Sequence, residues 1–459
     1  MNNKNTNTVL RDRVDSFKKN PEKSLIKLAL PVMAGMLVQI IYNITDTAFV
    51  GRLGINELAA VTFSFPIMFI FIALANLVGL GTTTLVARHI GANKNDEASL
   101  ISGEALTMSL LFAIIVTILG LVFNKYLFSL MGASDEVLKL GVTYMTPLFA
   151  ASIFLFLSAL FGAILAGEGD TKLPSIIRII SAILNVILDA VFIYVFHLGV
   201  LGVSLATMFS FMFGAAAFAY FVFIKNHNQL RFNFKLPTTR IKEVLKIGFP
   251  MSLAQLLMSL SFLIFNKLFS QFGVSQVAAY GLVGRVDSIL FMPLMGLSVG
   301  LITLIGMFHG SKDYDLIPRI TKATIKYGLF YAVPLATLFW IFPQLVLKIM
   351  TSNTEVLTIA SSLLRIEVFS YPLMVIGFTL GRSMVGLGDG VPGLVITSIR
   401  LVLLAVPLAL LFTAILNLSY RSIMFAILIS SLVSVIVAIF WFSYKLSHLI
   451  ATNKKGTSS

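Results

Sequence analysis

Two aspartates, Asp46 and Asp189, stand inside long apolar stretches, where an ionisable side chain is expensive and therefore rare. Asp46 ends the run Tyr42-Asn43-Ile44-Thr45-Asp46. Asp189 follows Asn185 by one helical turn, which puts amide and carboxylate on one face. Hard oxygen donors of this kind suit Na+, and acids in an apolar setting equally suit a proton taken up and released. Tyr42, Asn43 and Thr45 add supporting polar groups. Pairing with a nearby donor, or contact with water near the outer surface, would explain the same acids without function. Pro31, which has no amide donor, starts or bends the first stretch and is a candidate hinge. Ordinary tolerance of proline in membrane helices explains it equally well.

The elements that position these residues must be membrane helices. The chain is 58% hydrophobic and only 12% charged, with a mean hydropathy of +0.94, far from the composition of a soluble domain. Twelve apolar runs are long enough to span: 28–51, 62–82, 105–124, 142–165, 175–195, 200–224, 249–272, 288–307, 325–347, 363–384, 394–416 and 423–446. Spanning strands would be about half as long and would alternate apolar with polar. Both acids are expected about 14–18 residues into their helices, roughly 20–27 Å from the side where those helices start.

The net charge of +14 is a topology signal. Lys and Arg crowd ahead of the first run, between the sixth and seventh, and in loops after even-numbered runs; the other loops are poorer. The positive-inside rule then puts both termini in the cytoplasm of a multi-pass protein of the cell (inner) membrane. Nucleic acid is not an expected partner. Arg178, Arg285 and Arg400 lie near run ends and are expected to snorkel to headgroups, with Arg365 and Glu367 as an interfacial pair.

A shift of 219 residues matches the chain to itself. It carries Pro31 onto Pro250, Gly81 onto Gly300, Gly91 onto Gly310, and Gly167-Glu-Gly-Asp170 onto Gly386-Leu-Gly-Asp389. Each copy holds six runs, so both enter the membrane in the same direction and an axis along the membrane normal relates them. The expected fold is an all-α polytopic membrane protein, twelve transmembrane helices in two six-helix lobes related by a pseudo-two-fold axis. The expected organisation is a basic tail over 1–23, a first lobe over 24–226, a linker over 227–242, a second lobe over 243–448 and a tail over 449–459. Under the same shift Asp46 meets Phe265, Asn185 meets Leu404 and Asp189 meets Leu408. The polar cluster belongs to one copy, which marks it as a specialised ion site in the first lobe.

Several chemistries find no support. The chain has no cysteine, no Gly-x-x-x-x-Gly-Lys-[Ser/Thr] for ATP and no His-Glu-x-x-His; its five histidines are scattered. No enzyme and no cofactor are expected.

The order Pro31, Asp46-Thr-Ala-Phe-Val-Gly51, Gly79-Leu-Gly81, Ala87-Arg-His-Ile-Gly91, Ala166-Gly-Glu-Gly-Asp-Thr171 and Asn185 with Asp189 resembles the MATE (multidrug and toxic compound extrusion) transporters, over nearly the whole chain. The resemblance implies a V-shaped pair of lobes that exports cationic or amphipathic organic compounds by antiport with Na+ or H+, working as a monomer in the bilayer. It implies an ion-coupling site at Asp46, Asn185, Asp189 and Thr207, the place for Na+ if that is the ion, and a hinge at Pro31. NorM-type members carry acids in the seventh and tenth spans; here the seventh has none and the tenth only Glu367, which puts the chain closer to the DinF-like and MepA-like branches. The alternative is a lipid-linked oligosaccharide or lipid flippase of the same superfamily, which would favour Arg and Lys along the cavity.

Overall fold

The computed structural model describes residues 3–225, 230 and 239–457, and every regular element among them is helical. In the first half these are α1 (Asn3–Lys19), α2 (Pro21–Leu53), α3 (Ile55–Gly91), α4 (Asn95–Leu130), α5 (Asp135–Ala150), α6 (Ser152–Gly167), α7 (Lys172–Ala190) and α8 (Gly199–Ala219). The second half holds α9 (Thr239–Ser270), α10 (Val274–Gly310), α11 (Leu316–Ile341), α12 (Pro343–Leu347), α13 (Thr354–Glu367), α14 (Ser370–Gly386), α15 (Val391–Ser398), α16 (Ala405–Leu410) and α17 (Arg421–Thr457). Wider π-helical turns follow α7, α8, α15 and α16.

Ten helices are long and apolar enough to cross a membrane, and two bent pairs, α5–α6 at 49° and α13–α14 at 51°, bring the total to twelve. All twelve expected runs fall on these elements. The helices outrun them: α3 and α10 each have 37 residues, about 55 Å of rise, well beyond a hydrocarbon core of about 30 Å. The organisation read from sequence is finer than the elements at its edges. Residues 1–23 include α1, whose Leu10, Val14 and Phe17 are buried on one face. Position 243 falls inside α9 and 448 inside α17, while most of the 227–242 linker lies outside the described residues.

Glycines shared by the two copies show how the lobes meet. Gly91 of α3 packs on the Met307 carbonyl of α10, and Gly310 of α10 packs on the Arg88 carbonyl of α3. These are one contact made twice, since Arg88 and Met307 are themselves equivalent under the shift. Likewise Gly81 rests on the Val244 carbonyl, and its counterpart Gly300 has the Leu25 carbonyl 3.3 Å from where a Cβ would stand. A side chain at these positions would drive the backbones apart. All lie in the half of the molecule that carries the termini, here termed the base; the opposite end is the mouth.

One face of α3 makes the asymmetry of opening visible. In the base half it meets the second lobe: Asn76 Nδ2 donates to Gln255 Oε1 at 3.0 Å, and Ser252 of α9 donates to the Ala73 carbonyl at 2.7 Å. The same face continues toward the mouth at Leu58, Phe65, Phe69 and Ile72, spaced by three, four or seven residues, and there it is exposed. The lobes are joined at the base and parted at the mouth.

Candidate functional site

Four helices of the first lobe converge on one polar site. α2 supplies Tyr42 and Asp46, α5 supplies Tyr144, α7 supplies Asn185 and Asp189, and α8 supplies Thr207. Asp46 stands seven residues before the end of α2, and Asp189 six residues before the end of the π turn Val191–Val195. Both are therefore about 10 Å below the mouth ends of their helices. Phe49 and Tyr194 close the space above them, edge to face at 5.8 Å.

The local sequence explains the placement. α7 shows Ile176, Ile180, Ile183 and Ile187 on one exposed stripe, the surface that lipid would cover. Asn185 and Asp189 fall on the opposite side and are buried at 2% and 0% exposure. The Asn185 amide is best satisfied with its nitrogen donating to Asp189 Oδ2 at 3.0 Å and its oxygen accepting the Thr207 backbone N–H at 3.0 Å. Turned the other way, it donates to Thr207 Oγ1 at 3.3 Å. Thr207 Oγ1 itself donates to the Val203 carbonyl at 3.1 Å, leaving its lone pairs toward the site.

The two acids are close enough to interact electrostatically, and Tyr42 lies within electrostatic reach of both. Asp46 Oδ1 and Asp189 Oδ1 are each buried with no hydrogen-bond partner. Buried polar atoms are normally satisfied, so two orphaned oxygens on interacting carboxylates are groups that could hold a cation. The donor set fits Na+ or a proton: two carboxylate oxygens, the Thr207 hydroxyl and the Tyr42 hydroxyl, all hard oxygens.

The structure gathers Tyr42, Asp46, Asn185, Asp189 and Thr207. It leaves out Asn43, which is exposed and accepts from Gln39 Nε2 at 3.3 Å, and Thr45, which donates to its own helix at the Ile41 carbonyl. Pro31 lies inside α2, which is helical without interruption from Pro21 to Leu53. Tyr144 was not foreseen. Nothing in its neighbourhood Gly141-Val-Thr-Tyr144 sets it apart from other span tyrosines, and only the packing of α5 against α8 brings it beside Asp46 and Asp189.

The second lobe corrects the expectation that it holds no more than an interfacial acid. Glu367 is buried at the break between α13 and α14 and accepts from Ser370 Oγ at 2.8 Å. Asp287 of α10 comes close to it and accepts from the Tyr371 hydroxyl at 2.8 Å. Arg400 does not snorkel; it lies near both carboxylates. Arg365 donates instead to the Trp340 carbonyl at 3.3 Å. Where the first lobe has Asp46, the second has Phe265, packed with Phe262 and Phe269 around the ring of Tyr280.

Comparison with known proteins agrees with the two-lobe helical fold. The MatE family model matches twice, over residues 31–191 and 250–411, once in each lobe. A curated relative from Thermotoga maritima, a probable multidrug resistance protein NorM, is 26% identical over 84% of each chain. The multidrug export protein MepA of Staphylococcus aureus is 27% identical over 82% of this chain and 84% of its own. Among solved structures, a MOP superfamily transporter from Pyrococcus furiosus superposes with a TM-score of 0.90 at 28% identity, covering 94% of this chain and 96% of that one. A multidrug resistance MATE transporter in an outward-facing conformation gives 0.90 at 28% identity, over 94% and 97%. These likenesses do not favour the flippase alternative. A family model that fits both halves, on a two-lobe membrane fold, leaves one assignment: the chain is a member of the MatE family of transporters.

Proposed function

We propose that the protein is a secondary multidrug efflux transporter that exports amphipathic organic compounds, cationic ones included, in exchange for Na+ or H+. The relatives named for multidrug export support the substrate class. The observation that carries the mechanism is the pair of orphaned oxygens, Asp46 Oδ1 and Asp189 Oδ1, buried in the first lobe on two acids that interact. Two carboxylates at close range in a low-dielectric site repel each other, and one bound cation or proton relieves that repulsion.

The mouth-open arrangement gives this exchange a direction. Entry of the ion from the mouth side neutralises the pair and draws α2 toward α7 and α8. That rearrangement changes the inner surface of the first lobe and lowers its affinity for substrate, which leaves through the open mouth. A ligand shifts such an equilibrium only by its differential affinity for the two states, so ion and substrate must compete through the same lobe. Asn185 and Thr207 position Asp189, and Pro31 is the place in α2 where the missing amide bond makes bending least costly. With the basic face in the cytoplasm, as the loop charges require, the direction of transport is outward.

The test is efflux of a cationic dye from proteoliposomes under an imposed Na+ or pH gradient, in wild type and in Asp46→Asn. Gradient-driven efflux that disappears in the variant supports the reading. Equal efflux in both removes the carboxylate pair from coupling.

A further inference from the structure

Arg178 lies on α7 six residues in from Lys172. At 100° per residue it shares a face with Asn185 and Asp189 and stands opposite the exposed isoleucine stripe. It is nevertheless exposed. An exposed residue on the side of α7 turned away from lipid opens onto space inside the lobe. The guanidinium does not run down to the base either: a Cβ built at Gly162 would stand 3.1 Å from Arg178 Nη2. Gly162 is five residues from the end of α6, level with Arg178 on the antiparallel neighbour. The missing side chain of Gly162 makes room for the charge. No carboxylate among the described residues pairs with Arg178.

Two hydroxyls lie on the mouth side of this cation. Gly214 of α8 brings Ser181 Oγ and Ser158 Oγ together, 3.2 and 3.4 Å from where its Cβ would be. Ser158 Oγ is buried without a hydrogen-bond partner. Along α7, Asp189 is eleven residues further on, about 16 Å. The inside of the first lobe is thus polarised along its length: negative near the mouth, positive toward the base, with unused hydroxyl donors beside the positive end.

We propose that the first-lobe cavity takes amphipathic compounds that carry an acidic group, a carboxylate or phosphate, which Arg178 receives with help from Ser158 and Ser181. The inference rests on the efflux reading and names Arg178 as the residue that sets a preference, among the amphipathic compounds, for those that carry an acid. An unpaired guanidinium inside the lobe disfavours a purely cationic compound at that depth and favours one that supplies the missing negative charge.

The experiment compares two dyes that differ only at the acid: rhodamine B, with a free carboxylate, and its ethyl ester. Binding of each to the purified full-length protein in nanodiscs is read by fluorescence polarisation. Wild type should prefer the acid, and Arg178→Gln should shift the acid-to-ester affinity ratio toward the ester by about tenfold. Arg178→Lys should keep part of the preference, and Ser158→Ala should lose about threefold of it. Each ratio is taken on one sample, so partial misfolding cancels. An unchanged ratio in Arg178→Gln overturns the proposal. If the ester is still exported in an Asp46-dependent way, that result leaves the efflux reading standing. If wild type binds neither dye, both readings fall.

Discussion

The two lobes surround their buried acids differently. In the second, Asp287 and Glu367 have a basic side chain nearby: Tyr371 and Ser370 donate to them and Arg400 lies near both, although Glu367 Oε2 is left without a partner. In the first, Asp46 and Asp189 sit together with no basic side chain paired to them among the described residues, each with one buried oxygen unmet. Acids that already have a basic side chain nearby have less need of an ion from outside. An uncompensated pair is poised to take a cation from outside. On the proposed mechanism, the same repeated unit serves as a scaffold in one copy and as the coupling site in the other.

The largest effect that tests this contrast is loss of coupling. Asp189→Asn should reduce gradient-driven efflux on the order of 100-fold, the upper range of coupling between sites, while the protein stays monodisperse. Leu408→Asp, the equivalent position in the second lobe, should not restore it. Next comes stability. Asp287→Ala leaves the Tyr371 hydroxyl without its acceptor and removes one of the two acids near Arg400, and should destabilise the fold by about 1–3 kcal/mol, seen as a lowered unfolding midpoint in detergent. Adding Arg400→Leu should recover part of that loss. If Asp287→Ala instead abolishes coupling with no change in midpoint, the assignment of roles is reversed.

A smaller effect concerns the contact between lobes. Gly91→Ala overpacks the backbone approach to Met307 and should favour opening at the base by about 1–3 kcal/mol. The chain has no native cysteine, so paired labels on α3 and α10 can report the distance directly. The smallest effect is at Thr207. Thr207→Val keeps the shape and removes the hydroxyl, worth about 1 kcal/mol. The Na+ or proton concentration for half-maximal efflux should rise about fivefold.

The repeat, the span count and the acid pair of the first lobe were legible because they are properties of composition, period and register. The breaks in α5–α6 and α13–α14 were not. Residues 142–165 and 363–384 are continuous in hydropathy, and a bend at Ala151 or Val368 costs no apolar length. Asp287 shows a different failure. The eighth apolar run begins at residue 288, because the charge at Asp287 lowers the hydropathy average that defines a boundary. The helix continues from Val274, so that single residue separated a loop acid from a buried one. Its partner Arg400 lies more than a hundred residues away, and no local signal joins them. Phe265, Leu404 and Leu408, by contrast, were readable as the silent counterparts of the coupling site.

The paired glycine contacts at the base have one more consequence. Each occurs twice, Gly91 on Met307 and Gly310 on Arg88, at equivalent points about the pseudo-two-fold axis. A fastening with two like teeth need not release all at once. Damage to one tooth leaves the other engaged, so single substitutions there should loosen closure by degrees, and only the pair together should remove it. Such redundancy lets a duplicated transporter vary its interior chemistry lobe by lobe while the joint that couples the lobes keeps working.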